Sequence, residues 1–316
     1  MKYTKDFSGS KKNNNNLEEN FMKAGFIPAL GTPLDKNGNL LVESFKKQIK
    51  DQIDAGAVGI LCMGSMGIEA FIRGDVYPQV AKAAVEAAAG RVPIYVGAMD
   101  TSIARAKERM ASIEDSDIAG FVFTAPFYSP CSRDQMMNFF KGVAAATKHQ
   151  ILLYDLPVVS QSKITYDMIL ELIRDVPNLG GIKSADMQMF RKLKLNPEVS
   201  EDFVMVYSGL DTFDIAYKWG IDKCLDGMMS CTPVNSKILF DAMAASDYET
   251  AADALNNIVG LRDFFVARDL WPSFTTAMNL LGYEGYFAPD YVSEIKESYI
   301  AEIREKLIKI GEKVIE

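Results

Sequence analysis

The chain is poor in the residues that carry many familiar chemistries: one histidine, four cysteines and two tryptophans in 316 residues. A Ser–His–Asp or Cys–His arrangement would have to use His149. That residue lies in the polar stretch AATKHQ before an apolar run and reads as a solvated helix end. Cys62, Cys131, Cys224 and Cys231 form no CxxC pair, so a Cys/His zinc site is not expected. Scattered thiols in a long chain fit a reducing compartment. No apolar run approaches the roughly 18 residues of a membrane span. The opening MKYTKDFSGSKKNNNN lacks the apolar core of a secretory signal, so the expected location is cytoplasmic, with no membrane partner. No long basic run is present either. The net charge is −8, which disfavours nucleic acid, because phosphates must be neutralised by a basic face. An acidic chain can still hold a small anion in a local pocket.

What is present is alternation. Residues 1–22, with an asparagine run and no periodicity, read as a flexible tail. Eight short apolar runs follow: FIPAL (26–30), GILCM (59–63), PIYVGAM (93–99), GFVFTAP (120–126), ILLYDLP (151–157), LGGIKSA (179–185), FVMVYSG (203–209) and CLDGMMS (224–230). Each is bounded by Gly, Pro or Asp and reads as a buried strand. Helical spacing lies between them, at 43–54, 76–89, 102–113, 133–146, 166–174 and 233–244. Eight strands alternating with helices predict an α/β fold, a (β/α)₈ TIM barrel over 23–245. An open doubly wound sheet would want a GxGxxG turn early in the chain, and GTPLDKNG at 31–38 is not one. Helical stretches near 247–266, 272–281 and 290–314 predict a three-helix C-terminal extension over 246–316, with Pro272 and Pro289 at the breaks.

In such a barrel the reactive groups gather where strands end. Lys183 stands inside GGIKSA. Burial of a lysine is costly unless it is paired or neutral, and the neutral amine can attack a ketone to form an iminium. Gly180 and Gly181 would leave room for a small acid beside it. The other reading is a lysine at the strand mouth, reaching to solvent. Tyr154 should share its strand face with Leu152 and Leu156, and a phenol there can relay a proton; a core tyrosine bonded to a carbonyl is the alternative. Asp155 should face the other way and be structural. Gly64, Ser65, Met66 and Gly67 offer backbone N–H groups in a turn that could hold a carboxylate. Tyr128 lies in a loop flanked by prolines, which either positions it or merely shapes a turn. Gly209 follows the seventh run, and Ser230 closes the eighth and joins the substrate-binding candidates. Glu69, Asp100 and Asp211, near strand ends, read as helix caps or solvated charges rather than metal ligands.

Together, GSMGIEAF (64–71), APFYSP (125–130), YDLP (154–157) and GIKSA (181–185) resemble the dihydrodipicolinate synthase/N-acetylneuraminate lyase family of class I pyruvate aldolases, over about residues 25–245. The resemblance implies a Schiff base on Lys183 and proton transfer by Tyr154. It implies substrate-carboxylate binding by Ser65 and Met66, and a Tyr128 that completes a neighbouring subunit's site. Gly209 and Asp211, in SGLD, would meet the distal part of the substrate. It also implies a homo-oligomer, tetramer or dimer, and no cofactor or metal. Val159 stands where the synthases carry an arginine, so the pattern is closer to the lyase. Met66 replaces a threonine, Ala185 and Thr212 replace polyol-binding residues, and Ile68 looks like an insertion, so the pocket should be more apolar. The expected activity is cleavage or formation of a carbon–carbon bond in a 4-hydroxy-2-oxo acid, with pyruvate as one product. Dehydration of a 2-oxo-3-deoxy sugar acid, or non-catalytic binding of a 2-oxo acid, are the other readings.

Overall fold

A computed structural model describes residues 23–315. The expected N-terminal tail lies outside them. Eight parallel strands run in the order β1-β8-β7-β6-β5-β4-β3-β2. They are β1 (Gly25–Pro28), β2 (Ile60–Cys62), β3 (Ile94–Gly97), β4 (Gly120–Thr124), β5 (Gln150–Tyr154), β6 (Leu179–Ser184), β7 (Val204–Tyr207) and β8 (Lys223–Asp226). A bridge between Ala29 and Leu61, with the Val58 N–H donating to the Phe26 carbonyl at 3.1 Å, joins β1 to β2 and closes the barrel. Each of the eight apolar runs therefore contains a strand, the eighth ending in a 3-10 turn over Met228–Ser230.

Alternation along each strand sorts the side chains into two cores. Ile27, Leu61, Tyr95, Val122, Leu152 and Val206 fill the barrel interior. Their neighbours Phe26, Ile60, Val96, Phe121, Ile151 and Tyr207 face outward and pack beneath the helices. Burial on both faces is why the runs are continuously apolar.

The first eight helices are α1 (Val42–Asp54), α2 (Tyr77–Ala88), α3 (Ile103–Ala111), α4 (Arg133–Ala144), α5 (Pro157–Ser160), α6 (Tyr166–Asp175), α7 (Met187–Leu195) and α8 (Phe213–Lys218). After β8 come α9 (Pro233–Ala244), α10 (Tyr248–Val266), α11 (Leu270–Leu280) and α12 (Glu297–Lys309). Ser132 starts α4 with a capping box, its hydroxyl accepting from the Gln135 N–H while the Gln135 side chain accepts from the Ser132 N–H. The helix expected from residue 272 starts two residues earlier, so Pro272 lies in the first turn of α11, where a missing N–H costs nothing. α10 packs along α9 and reaches the ends of β7 and β8. This contact brings a distant part of the sequence to the strand ends.

His149 is not a solvated helix end. It precedes β5 at the opposite end of the barrel from Lys183, half-buried, with Nε2 2.8 Å from the Glu114 carbonyl and its ring edge-on to Phe121. No described helix is long and apolar enough to cross a membrane.

Candidate active site

Lys183 and Tyr154 are opposite partners across the β5–β6 ladder. Both face the interior, and Lys183 is only 5% exposed. Its Nζ stands 3.6 Å from the centre of the Tyr154 ring. A cavity of about 230 Å³ opens at this point, on the side of the strand ends. Its polar lining is Ser65, Tyr154, Lys183, Asp226 and Arg262. The rest is apolar, formed largely by Leu61, Met66, Met228, Val266 and Leu270.

The turn at 64–67 is built under constraint. Met63 and Ile68, which flank it, both have left-handed backbone, φ 52° and 51°. Neither is glycine, so the conformation costs energy, a feature that clusters at functional sites. Gly67 is required by space, since a Cβ there would stand 2.8 Å from the Leu30 carbonyl oxygen. Thr32 donates its hydroxyl to the Gly67 carbonyl at 2.7 Å, and the Ile68 N–H donates to the Ser65 carbonyl at 3.1 Å. Met66 lies against Gly227 of the β8 end, where an added Cβ would meet its side chain at 2.7 Å. The methionine side chain thus makes this part of the cavity lining apolar.

Behind this turn is a charged cluster. Glu69 and Asp100 are buried and ion-paired, not the helix caps or solvated charges expected from sequence. Arg109 Nη1 is 3.0 Å from Glu69 Oε1, a charge contact out of line for a hydrogen bond, while its Nε donates to Asp100 at 2.9 Å. Arg105 donates to the other Asp100 oxygen at 2.6 Å. Burial pushes the Glu69 carboxyl up to about 8, against the opposing pull of Arg109. Asp100 is held below its usual value, because the two arginine hydrogen bonds outweigh its desolvation.

Asp155 points away from the cavity, as alternation requires. It accepts from Ser184 Oγ at 2.8 Å, from the Ile164 N–H at 3.1 Å and from Lys163. Asp155 follows Tyr154 and Ser184 follows Lys183, so their bond ties β5 to β6 directly behind the Lys183–Tyr154 pair. Gly180 and Gly181 do not make room for substrate. A Cβ on Gly181 would stand 2.2 Å from the Val204 carbonyl oxygen, and one on Gly180 would stand 2.7 Å from Gln150 Oε1. Their role is close strand packing at a register shift in the β5–β6 ladder.

Of the sequence candidates, Lys183, Tyr154, Ser65 and Met66 line one cavity. The others do not line it. Tyr128 is 91% exposed, on a left-handed backbone of φ 87°. Gly209 packs on the Tyr207 phenol. Ser230 is buried, its hydroxyl donating to the Gly227 carbonyl at 2.5 Å. Both Asp211 oxygens accept from Arg262, at 2.7 and 2.8 Å. Gly64 belongs to the turn but has no atom in the lining. Sequence reasoning missed Asp226 and Arg262. Asp226 ends a strand, and attention to every strand end would have found it. Burial raises its carboxyl above the usual value, opposed by the Met228 N–H bond and the charge of Lys183. Among the described residues no cluster of His, Cys, Asp and Glu has the makings of a metal site.

The site is thus a closed parallel barrel with an interior lysine and tyrosine paired at its strand ends. The model of the Dihydrodipicolinate synthetase family matches residues 22–307, and the chain belongs to that family, one of carbon–carbon lyases. A 4-hydroxy-tetrahydrodipicolinate synthase of Rhodopseudomonas palustris is 28% identical over 240 residues, covering 76% of this chain and 80% of that one. One from Escherichia coli O139:H28 is 30% identical over 188 residues, 58% of this chain and 63% of that one. Among solved structures, dihydrodipicolinate synthase from Aquifex aeolicus covers 93% of this chain and all of its own, with a TM-score of 0.82 at 21% identity. N-acetylneuraminate lyase of Proteus mirabilis covers 92% of this chain and 99% of its own, with a TM-score of 0.83 at 18% identity. At these identities the structural likeness speaks to the fold.

Proposed function

We propose that the chain is a Schiff-base aldolase that cleaves or forms the C3–C4 bond of a 4-hydroxy-2-oxo acid, with pyruvate as one partner. The observation that carries this reading is Lys183, buried in a cavity with its Nζ on the face of Tyr154 and Ser65 on the same wall. The neutral amine attacks C2 of the keto acid, and loss of water gives an iminium. In the cleavage direction a base removes the proton of the C4 hydroxyl. The C3–C4 electron pair then flows into the iminium, an aldehyde leaves and an enamine remains. Protonation at C3 and attack of water at C2 release pyruvate and restore the amine.

Tyr154 is the proton carrier in this scheme, and the 64–67 turn with Ser65 holds the carboxylate that orients C2 toward the amine. The apolar wall of Met66, Met228, Val266 and Leu270 favours an aldehyde half with few hydroxyl groups over a long polyol. Tyr128 reaches outward, and the family resemblance supports a role in a neighbouring subunit's site within a homo-oligomer. That role requires the chain to run as a dimer or tetramer in gel filtration, and a monomer of full activity would exclude it.

The direct test is incubation with pyruvate and borohydride, followed by mass analysis of the peptide containing Lys183. The expected result is a reduced pyruvyl adduct on that residue, absent from Lys183→Met, with pyruvate release when 4-hydroxy-2-oxo acids are screened. Adduct formation without turnover on a broad panel would instead support a protein that only binds 2-oxo acids. An unmodified Lys183 would end the proposal.

A further inference from the structure

The reactive end of the cavity accounts for Lys183, Tyr154 and Ser65. Arg262, on α10, lines the same cavity but has no part in that chemistry. Its guanidinium carries five N–H donors. Among the described residues four are engaged: Nε and one Nη2 hydrogen donate to Asp263 Oδ1, the other Nη2 hydrogen to Asp211 Oδ1, and one Nη1 hydrogen to Asp211 Oδ2. One Nη1 hydrogen is left. The fork–fork pairing with Asp211 fixes the plane of the group, so this last donor is held in place before any ligand arrives.

The local charge narrows what it can bind. One guanidinium faces two carboxylates, Asp211 and Asp263, so its positive charge is already more than balanced. Asp226, a third carboxyl, borders the same cavity. A substrate bearing a second carboxylate would enter a neighbourhood with no net positive charge to receive it. An uncharged oxygen needs only the one donor. The surrounding wall of Met228, Val266 and Leu270 offers nothing polar to further hydroxyl groups.

We infer that Arg262 is a specificity-determining residue, donating one hydrogen bond to a single uncharged oxygen on the otherwise apolar aldehyde half of the substrate. This rests on the aldolase reading above. The test uses pyruvate with linear aldehydes of graded length, each ending in a methyl, a hydroxyl or a carboxylate group. Wild type, Arg262→Met and Arg262→Lys are compared in the condensation direction, and borohydride trapping of pyruvate is run on each. At the length that fits, wild type should prefer the hydroxyl-ended aldehyde over the methyl-ended one by about 10- to 100-fold in kcat/KM, the range of a hydrogen bond from a charged donor. Arg262→Met should lose that preference, mainly through KM, while trapping at Lys183 continues at the wild-type rate. Arg262→Lys, which keeps the charge but not the fork, should retain only part of it. A preference unchanged in Arg262→Met, no preference in wild type at any length, or a wild-type preference for the carboxylate would overturn the assignment. Failure of wild type to trap pyruvate would show up separately, removing the aldolase reading and this inference with it.

Discussion

Tyr154 and Lys183 are register partners on adjacent parallel strands, and the lysine Nζ stands over the face of the ring rather than at its hydroxyl. The ring and the phenol group therefore have separable roles. On the proposed aldolase reading the ring supports the amine in the barrel interior, and the hydroxyl is left for the substrate. Tyr154→Phe should keep the first role and lose the second. Borohydride trapping at Lys183 is expected to persist within a few-fold, while kcat falls by about 10²–10⁴, the usual worth of a positioned acid–base group. Tyr154→Ala should impair both. Equal loss of trapping and turnover in the phenylalanine variant would contradict the separation.

A hydrogen-bonded carboxylate lies directly behind this pair. Asp155 receives three donors and holds Ser184 of β6 against β5. Asp155→Ala should cost about 2–4 kcal/mol, because it removes a charged acceptor and leaves buried donors unpaired. Ser184→Ala should cost about 1 kcal/mol, the value of one hydrogen bond. Urea unfolding measures both through the midpoint, with the slope unchanged. If Asp155 only contributes stability, the fraction that remains folded will turn over at the wild-type rate. If it positions the pair, kcat will fall in the folded enzyme too.

Glu69 gives a pH-dependent contribution whose sign is fixed by its environment. In the native state burial raises it to about 8, whereas its ordinary value is 4.5. Between those values the native chain holds a proton that the unfolded chain has lost. Stability must then fall as pH rises across that interval. The Glu69 contribution is complete below about 4.5 and gone above about 8. Glu69→Gln mimics the protonated form and removes this dependence. Its Tm should exceed that of wild type by a margin that widens from about pH 5 to about pH 8. A constant margin, or one that narrows, would show that Arg109 keeps the carboxylate ionised throughout.

Much of this architecture can be read from the sequence because strands buried on both faces leave a local signature. ILLYDLP and LGGIKSA each announce a strand, and alternation alone separates Tyr154 from Asp155. The buried Lys183 is legible for the same reason: a charged residue stands out in an apolar run. Glu69 was misjudged because its partner, Arg109, comes from another element, and nothing near Glu69 in the chain announces that contact; Asp100 has Arg105 and Arg109 close by in the chain, but only the fold shows that both turn back onto it. Gly181 was misjudged similarly. The sequence shows a small residue beside a lysine, but only the neighbouring strand reveals that the missing Cβ admits the Val204 carbonyl. Arg262 was invisible, since helical spacing on α10 identifies a buried face but not the strand end it overhangs.

The C-terminal residues bear on that overhang. Thr232, which precedes α9, makes no side-chain cap. Glu312 supplies one from beyond α12: its carboxyl accepts from the Val234 and Asn235 N–H groups at 3.2 and 3.0 Å and from the Asn235 side chain at 2.7 Å. Substitution of a capping oxygen costs about 1–2 kcal/mol, and a carboxylate at a helix start adds its interaction with the dipole. Glu312→Ala is therefore expected to lower stability by about that amount. The Asn235 amide also receives Asn257 of α10, so the cap is joined to the helix that carries Arg262. Removal of residues 310–316 should consequently weaken discrimination between oxygenated and apolar aldehydes while Lys183 still traps pyruvate. Thermal unfolding and kcat/KM ratios on the truncated chain measure the two effects together. A stability loss with the ratios intact would mean that α9 and α10 hold Arg262 in place without the C-terminal clasp.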